Sequence, residues 1–114
     1  MSELGDKQKK LTRLLPRLLD KAHELGYEVT LGDAYRDQRV FGKVGERQGY
    51  GNPNSNHKRR LAIDLNLFKD GTYLTQTADH AELGTYWESL DEDCIWGGRW
   101  NDGNHYSIKY GRFA

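Results

Sequence analysis

The chain has 114 residues, with 17 basic and 17 acidic side chains and a formal net charge of zero. Balanced charge excludes the global basic field that draws a protein to nucleic acid or anionic lipid. The length suits one domain spanning 1–114, the single cysteine excludes an internal disulfide, and no stretch approaches the roughly 18 apolar residues of a membrane span.

Over residues 7–25 the apolar positions Leu11, Leu14, Leu15, Leu18, Ala22 and Leu25 recur in steps of three and four, which predicts one helix with a single oily face. Pro16 falls inside it as a kink or a late start, and Gly26 is a natural stop. Lys9, Lys10, Arg13, Arg17 and Lys21 fall on its wet face. "YEVTLG" alternates Tyr27, Val29 and Leu31 against Glu28 and Thr30, the pattern of a half-buried strand. Residues 33–56 hold four glycines, one proline and no sustained period. A loop of that length in a small domain points to function or disorder.

"LAIDLNLF" alternates Leu61, Ile63, Leu65 and Leu67 against Ala62, Asp64 and Asn66, a strand with one oily and one polar face. Asp70-Gly71 signals a hairpin that pairs 72–74 back onto it. A second helix is expected over 78–90, with Leu83, Tyr86, Trp87 and Leu90 inward. A solvated acidic turn (Asp91, Glu92, Asp93), the glycine-rich loop "WGGRWNDGN" and a final strand "HYSIKY" complete the chain. The expected class is α+β, with helices packed on an antiparallel sheet.

The chemistry-bearing residues gather around these last strands. Asp64 interrupts a strand that otherwise reads as core, His57 lies just before it, and His105 opens the final strand. If the two strands are neighbours, two imidazoles and one carboxylate converge, a donor set that suits Zn²⁺ and leaves a fourth coordination position open, as catalytic zinc sites do. The spacing alone is not diagnostic: His57 also fits a surface loop, and Asp64 a hydrogen-bonded residue of a wet sheet face.

Asp102 lies three residues before His105, where a carboxylate can act as general acid/base; Asp-Gly is also ordinary turn chemistry. Arg36, with Arg39 as its competitor, can bind an oxyanion or a substrate carboxylate, or form a surface ion pair. Trp96 is assigned to the core, and Trp100 and Tyr106 to a cleft wall. His23 and His80 are read as surface residues, and Cys94 as a buried thiol.

"SNHKRRLAIDLNLF" resembles the Ser-x-His-(x)₆-Asp signature of the zinc D-Ala-D-Ala metallopeptidases, with Ser55, His57, Ala62 and Asp64 in place. "WNDGNHYS" resembles the second half of that signature, and "AYRDQR" the segment carrying the family's arginine. The resemblance implies one zinc per chain on His57, Asp64 and His105, with Asp102 as acid/base and Arg36 as the oxyanion arginine. Ser55, Trp100 and Tyr106 are the substrate-contacting residues expected around that centre.

The implied fold is the hedgehog/D,D-peptidase type with the zinc site at the sheet, and the implied partners are peptidoglycan stem peptides bound by a monomer. One departure is visible: a glycine common three residues after the first histidine is Arg60 here. An aspartate base, in place of glutamate, leans toward phage endolysins that cut L-Ala-D-Glu. The competing activities are a D-Ala-D-Ala carboxypeptidase or dipeptidase and a non-catalytic wall-binding or zinc-stabilised domain. "MSELGDKQKK" lacks the apolar run of a signal peptide, so synthesis in the cytoplasm and release to the wall are expected.

Overall fold

The computed structural model describes residues 3–32 and 60–111. Helix α1 spans Glu3–Glu24, longer at its start than the apolar periodicity indicates, and runs through Pro16. Its buried residues are Leu11, Leu14, Leu18 and Ala22, one stripe at helical spacing. It ends in a Schellman turn: Gly26, at φ 91°, donates to the His23 carbonyl, and Tyr27 donates to that of Ala22.

Five strands form an antiparallel sheet from the described residues: β1 (Glu28–Leu31), β2 (Ala62–Lys69), β3 (Thr72–Leu74), β4 (Cys94–Trp96) and β5 (His105–Ile108). The order is β1-β2-β5-β4, and β3 pairs with the far end of β2. Asp70 and Gly71 both have positive φ, 51° and 79°, the two-residue turn that sharp hairpins favour. The expected second helix begins as a 3₁₀ turn, Thr77–His80, and becomes α-helical as α2 (Ala81–Leu90). Strand β4 was not expected from the sequence; the glycine-rich loop after it contains a second 3₁₀ turn, Gly97–Trp100.

The β2 alternation holds. Ile63, Leu65 and Leu67 join Leu14, Leu18, Leu83, Trp87, Tyr106 and Ile108 in one core between the sheet and the two helices. Trp87 is fully buried, and its indole N–H donates to the Ser107 carbonyl at 3.1 Å, so α2 is tied to β5 by a polar contact as well as by packing. Leu31, expected to face inward, is 61% exposed at the end of the edge strand β1. No helix among the described residues is long and apolar enough to cross a membrane.

The acidic turn is not simply solvated. Asp93 accepts from Lys7 and Lys10, and Asp91 from Lys10, so part of the supposed wet face of α1 is pinned to the start of β4. These ammonium groups, that of Lys7 foremost, hold the Asp93 carboxyl below the usual range; the hydrogen bond to Asp93 is the main cause that raises Lys10. A depressed folded-state pKa gives stability that is present above the unfolded value, about 3.9, and is lost as pH falls through the folded value. Asp93→Asn is therefore expected to cost roughly 1 kcal/mol at pH 7. Urea denaturation across pH should show the difference from wild type begin to shrink as pH falls below about 4 and vanish only once the pH lies under the depressed folded-state value.

Candidate active site

The register of β2 and β5 brings the site together. Ala62 faces Ser107, Ile63 faces Tyr106, and Asp64 faces His105. The flanking ladder bonds run from Ile108 N–H to the Leu61 carbonyl and from Leu65 N–H to the Asn104 carbonyl. By alternation, Asp64 and His105 form a pair without ladder bonds between them, the kind whose side chains stand closest in an antiparallel sheet. Strand pairing alone therefore brings two residues 41 positions apart onto one face.

His105 is 4% exposed. Its Nδ1 lies 3.7 Å from Asp64 Oδ1 and 3.9 Å from Asp102 Oδ2. The Asp64 side chain is 13% exposed and that of Asp102 is 48% exposed. Two carboxylates thus converge on one imidazole nitrogen, one from the sheet face and one from the rim.

The donor chemistry fits a zinc ion. Two ligands at about 2.0–2.1 Å from a tetrahedral zinc stand about 3.3 Å apart, and the Asp64–His105 separation is near that value and too long for a direct hydrogen bond. An imidazole nitrogen and a carboxylate oxygen are both ordinary zinc donors. His57, the third expected ligand, lies outside the described residues, as do Ser55, Arg36, Arg39 and the rest of the stretch 33–56. Among the described residues no group of three or more His, Cys, Asp or Glu is placed to hold a metal ion.

The loop carrying Asp102 is braced from three sides. Its N–H donates to the Gly97 carbonyl, and its own carbonyl accepts from His105 N–H. Trp96 Nε1 donates to the Gly103 carbonyl, and Gly103 N–H donates to Thr77 Oγ1. Gly97 cannot carry a side chain, because a Cβ there would sit 2.2 Å from the Asp102 carbonyl oxygen and 2.8 Å from His105 Cβ. The dense glycines of "WGGRWNDGN" thus include one that lets two backbone segments close up under the site.

Trp100 stands against His105, ring centroids 5.6 Å apart and planes at 61°, and is 48% exposed. Tyr106 requires a correction. It is fully buried in the core, because neighbours on a strand point to opposite faces and His105 takes the site face. His80 also requires one: it is 3% exposed, with Nδ1 at 2.8 Å from the Tyr106 hydroxyl, and burial lowers its pKa against the raising effect of Asp79 and Asp64. The missed signal was its spacing, three residues before Leu83 and seven before Trp87 on the inward stripe of α2. His23 is exposed and Cys94 is buried, as expected, with burial pushing the Cys94 thiol up to about 12. Arg60 adopts φ 59°, the left-handed region where a glycine would be unstrained.

A family model described as D-alanyl-D-alanine carboxypeptidase matches residues 48–108, just over half of the chain. The matched segment runs from residue 48 to the end of β5 and contains Asp64, Asp102 and His105. The family is one of peptidoglycan-related metallopeptidases, generally zinc-dependent. The chain belongs to this D,D-carboxypeptidase-like family. No curated protein matches it.

Proposed function

We propose that the chain is a zinc peptidase that hydrolyses one peptide bond of the peptidoglycan stem, with the bond between L-Ala and D-Glu as the preferred target. The observation that carries the reading is the convergence of the Asp64 and Asp102 carboxylates on His105 Nδ1, at 3.7 and 3.9 Å. His57, Asp64 and His105 would hold one zinc ion, which when bound supplies Lewis-acid polarisation of the scissile carbonyl and acidifies the attacking water.

The chain's own residues carry the proton. Asp102 is half exposed beside the buried donors, so one carboxylate oxygen is available to the attacking water. It accepts the proton as the oxygen attacks and returns it to the leaving amine nitrogen. Trp100, edge-on to His105 and half exposed, is placed to exclude bulk water from one side of the reacting carbonyl. Arg36 is assigned to the oxyanion on the family resemblance. The aspartate base, shorter than a glutamate by one methylene, supports the endolysin branch.

The family description favours a second reading, removal of the terminal D-Ala. Incubation of the zinc-loaded protein with purified peptidoglycan, followed by identification of new termini, separates the two. A new D-Glu amine is expected; released D-Ala would transfer the assignment to the carboxypeptidase, and no new terminus at all would refute both.

A further inference from the structure

Beside Asp102 a cleft opens between the 3₁₀ turn Thr77–His80 and the turn Asn101–Asn104; its lining includes Gln76, Thr77, His80, Asn101, Asp102 and Asn104. His80 is the most buried titratable group in this wall, and the proposed chemistry does not use it.

We infer that the Tyr106–His80 pair is a fixed hydrogen-bond donor of the substrate cleft, presenting His80 Nε2–H to a carbonyl oxygen of the bound peptide next to the scissile bond. This rests on the peptidase reading for the identity of the ligand, but the donor assignment rests on hydrogen-bond accounting alone. Tyr106 is fully buried, and its hydroxyl lies 2.8 Å from His80 Nδ1. If Nδ1 carried the hydrogen, the hydroxyl would accept it, and its own hydrogen would have no acceptor among the described residues. Leaving a buried donor unsatisfied is the more costly arrangement. Tyr106 therefore donates to Nδ1, which places the imidazole hydrogen on Nε2.

His80 lines the cleft while Nδ1 is committed to the core, which leaves Nε2 as the ring nitrogen available to the cleft. A neutral N–H donor held by a buried partner recognises a peptide carbonyl, and it does so without attracting cations. Asp79 fixes the turn from the other side by accepting from Gln76 N–H at 2.9 Å, so the donor sits on a braced element. Tyr106 thus acts as a positioning residue and His80 as the contact.

The test uses the zinc-loaded full chain labelled with ¹⁵N, and a synthetic stem pentapeptide ending in D-Ala-D-Ala. Long-range ¹H–¹⁵N spectra are expected to show His80 as the Nε2–H tautomer, and adding the pentapeptide to an Asp102→Asn variant, which holds it uncut, is expected to shift that Nε2–H resonance. An Nδ1–H tautomer, or a resonance unmoved at saturating peptide, overturns the inference. In turnover, His80→Asn keeps an acceptor for Tyr106 but loses the cleft donor and is expected to raise KM roughly tenfold with a smaller change in kcat. His80→Gln, which can place an amide N–H near the Nε2 position, is expected to recover part of that loss; equal KM in both variants and wild type would overturn the inference. A chain that cuts no wall peptide yet shifts His80 on binding refutes the peptidase reading alone. One that cuts the peptide with His80 unmoved refutes the donor alone.

Discussion

Asp102→Ala is expected to slow stem-peptide hydrolysis by roughly 10²–10⁴-fold, the usual contribution of a positioned general acid/base, while the fold survives. The side chain is 48% exposed, and the structural bonds of this residue are made by its main chain, with Gly97 on one side and His105 N–H on the other. Alanine keeps both bonds. The thermal midpoint should therefore stay close to that of wild type, as for other exposed substitutions, which confines the loss to chemistry. Asp102→Asn preserves the shape but cannot take a proton, and it should lose nearly as much. Release of new amine termini from peptidoglycan measures the rate. Undiminished digestion by Asp102→Ala would instead support the non-catalytic wall-binding or structural-zinc reading.

The parts of this molecule legible in its sequence are those governed by local period. Asp64 is conspicuous because Ile63, Leu65 and Leu67 alternate around it, and the alternation places its carboxylate on the face opposite the core. Asp70-Gly71 identifies the hairpin because both residues tolerate positive φ. The same period-2 rule, applied to β5, puts Tyr106 in the core once His105 is assigned to the site. Assigning the tyrosine to a cleft wall treated two adjacent strand residues as sharing a face.

His80 was misread for a related reason. A histidine near the start of a helix suggests solvent, but its spacing to Leu83 and Trp87 places it on the buried stripe. Other features leave no local trace. The Lys7 and Lys10 contacts with Asp93 join residues more than 80 positions apart, and charge pattern does not predict which solvated cation meets which carboxylate. Strand β4 has three residues, too few for a period to register, and exists because β5 offers it a partner. The opposition of Asp64 to His105 likewise depends on register, a property of the folded pair and not of either strand.

That register leads to the second large effect, on metal binding. Wild-type protein is expected to retain one zinc per chain after gel filtration, and to melt at a lower temperature once chelator removes it. A ligand bound only by the native state stabilises by about 4 kcal/mol when present at a thousandfold excess over its Kd. His105→Ala removes a donor that is 4% exposed and braced by Gly97 beneath it, so a neighbouring side chain has little room to replace it. Perturbing a group that only orients a ligand already lowers affinity about 10–100-fold, and losing the ligand itself should do at least as much. The zinc-dependent rise in melting temperature should therefore be clearly smaller in His105→Ala at the same zinc concentration. Asp64→Ala should behave in the same way, because Asp64 is the nearer of the two carboxylates at that nitrogen among the described residues and is carried on the rigid central strand. Asp93→Asn serves as the comparison: its carboxylate is committed to Lys7 and Lys10, so it should melt earlier at neutral pH yet keep its full response to zinc. Equal zinc-dependent stabilisation in wild type, His105→Ala and Asp64→Ala would place the metal elsewhere, and with it the proposed chemistry.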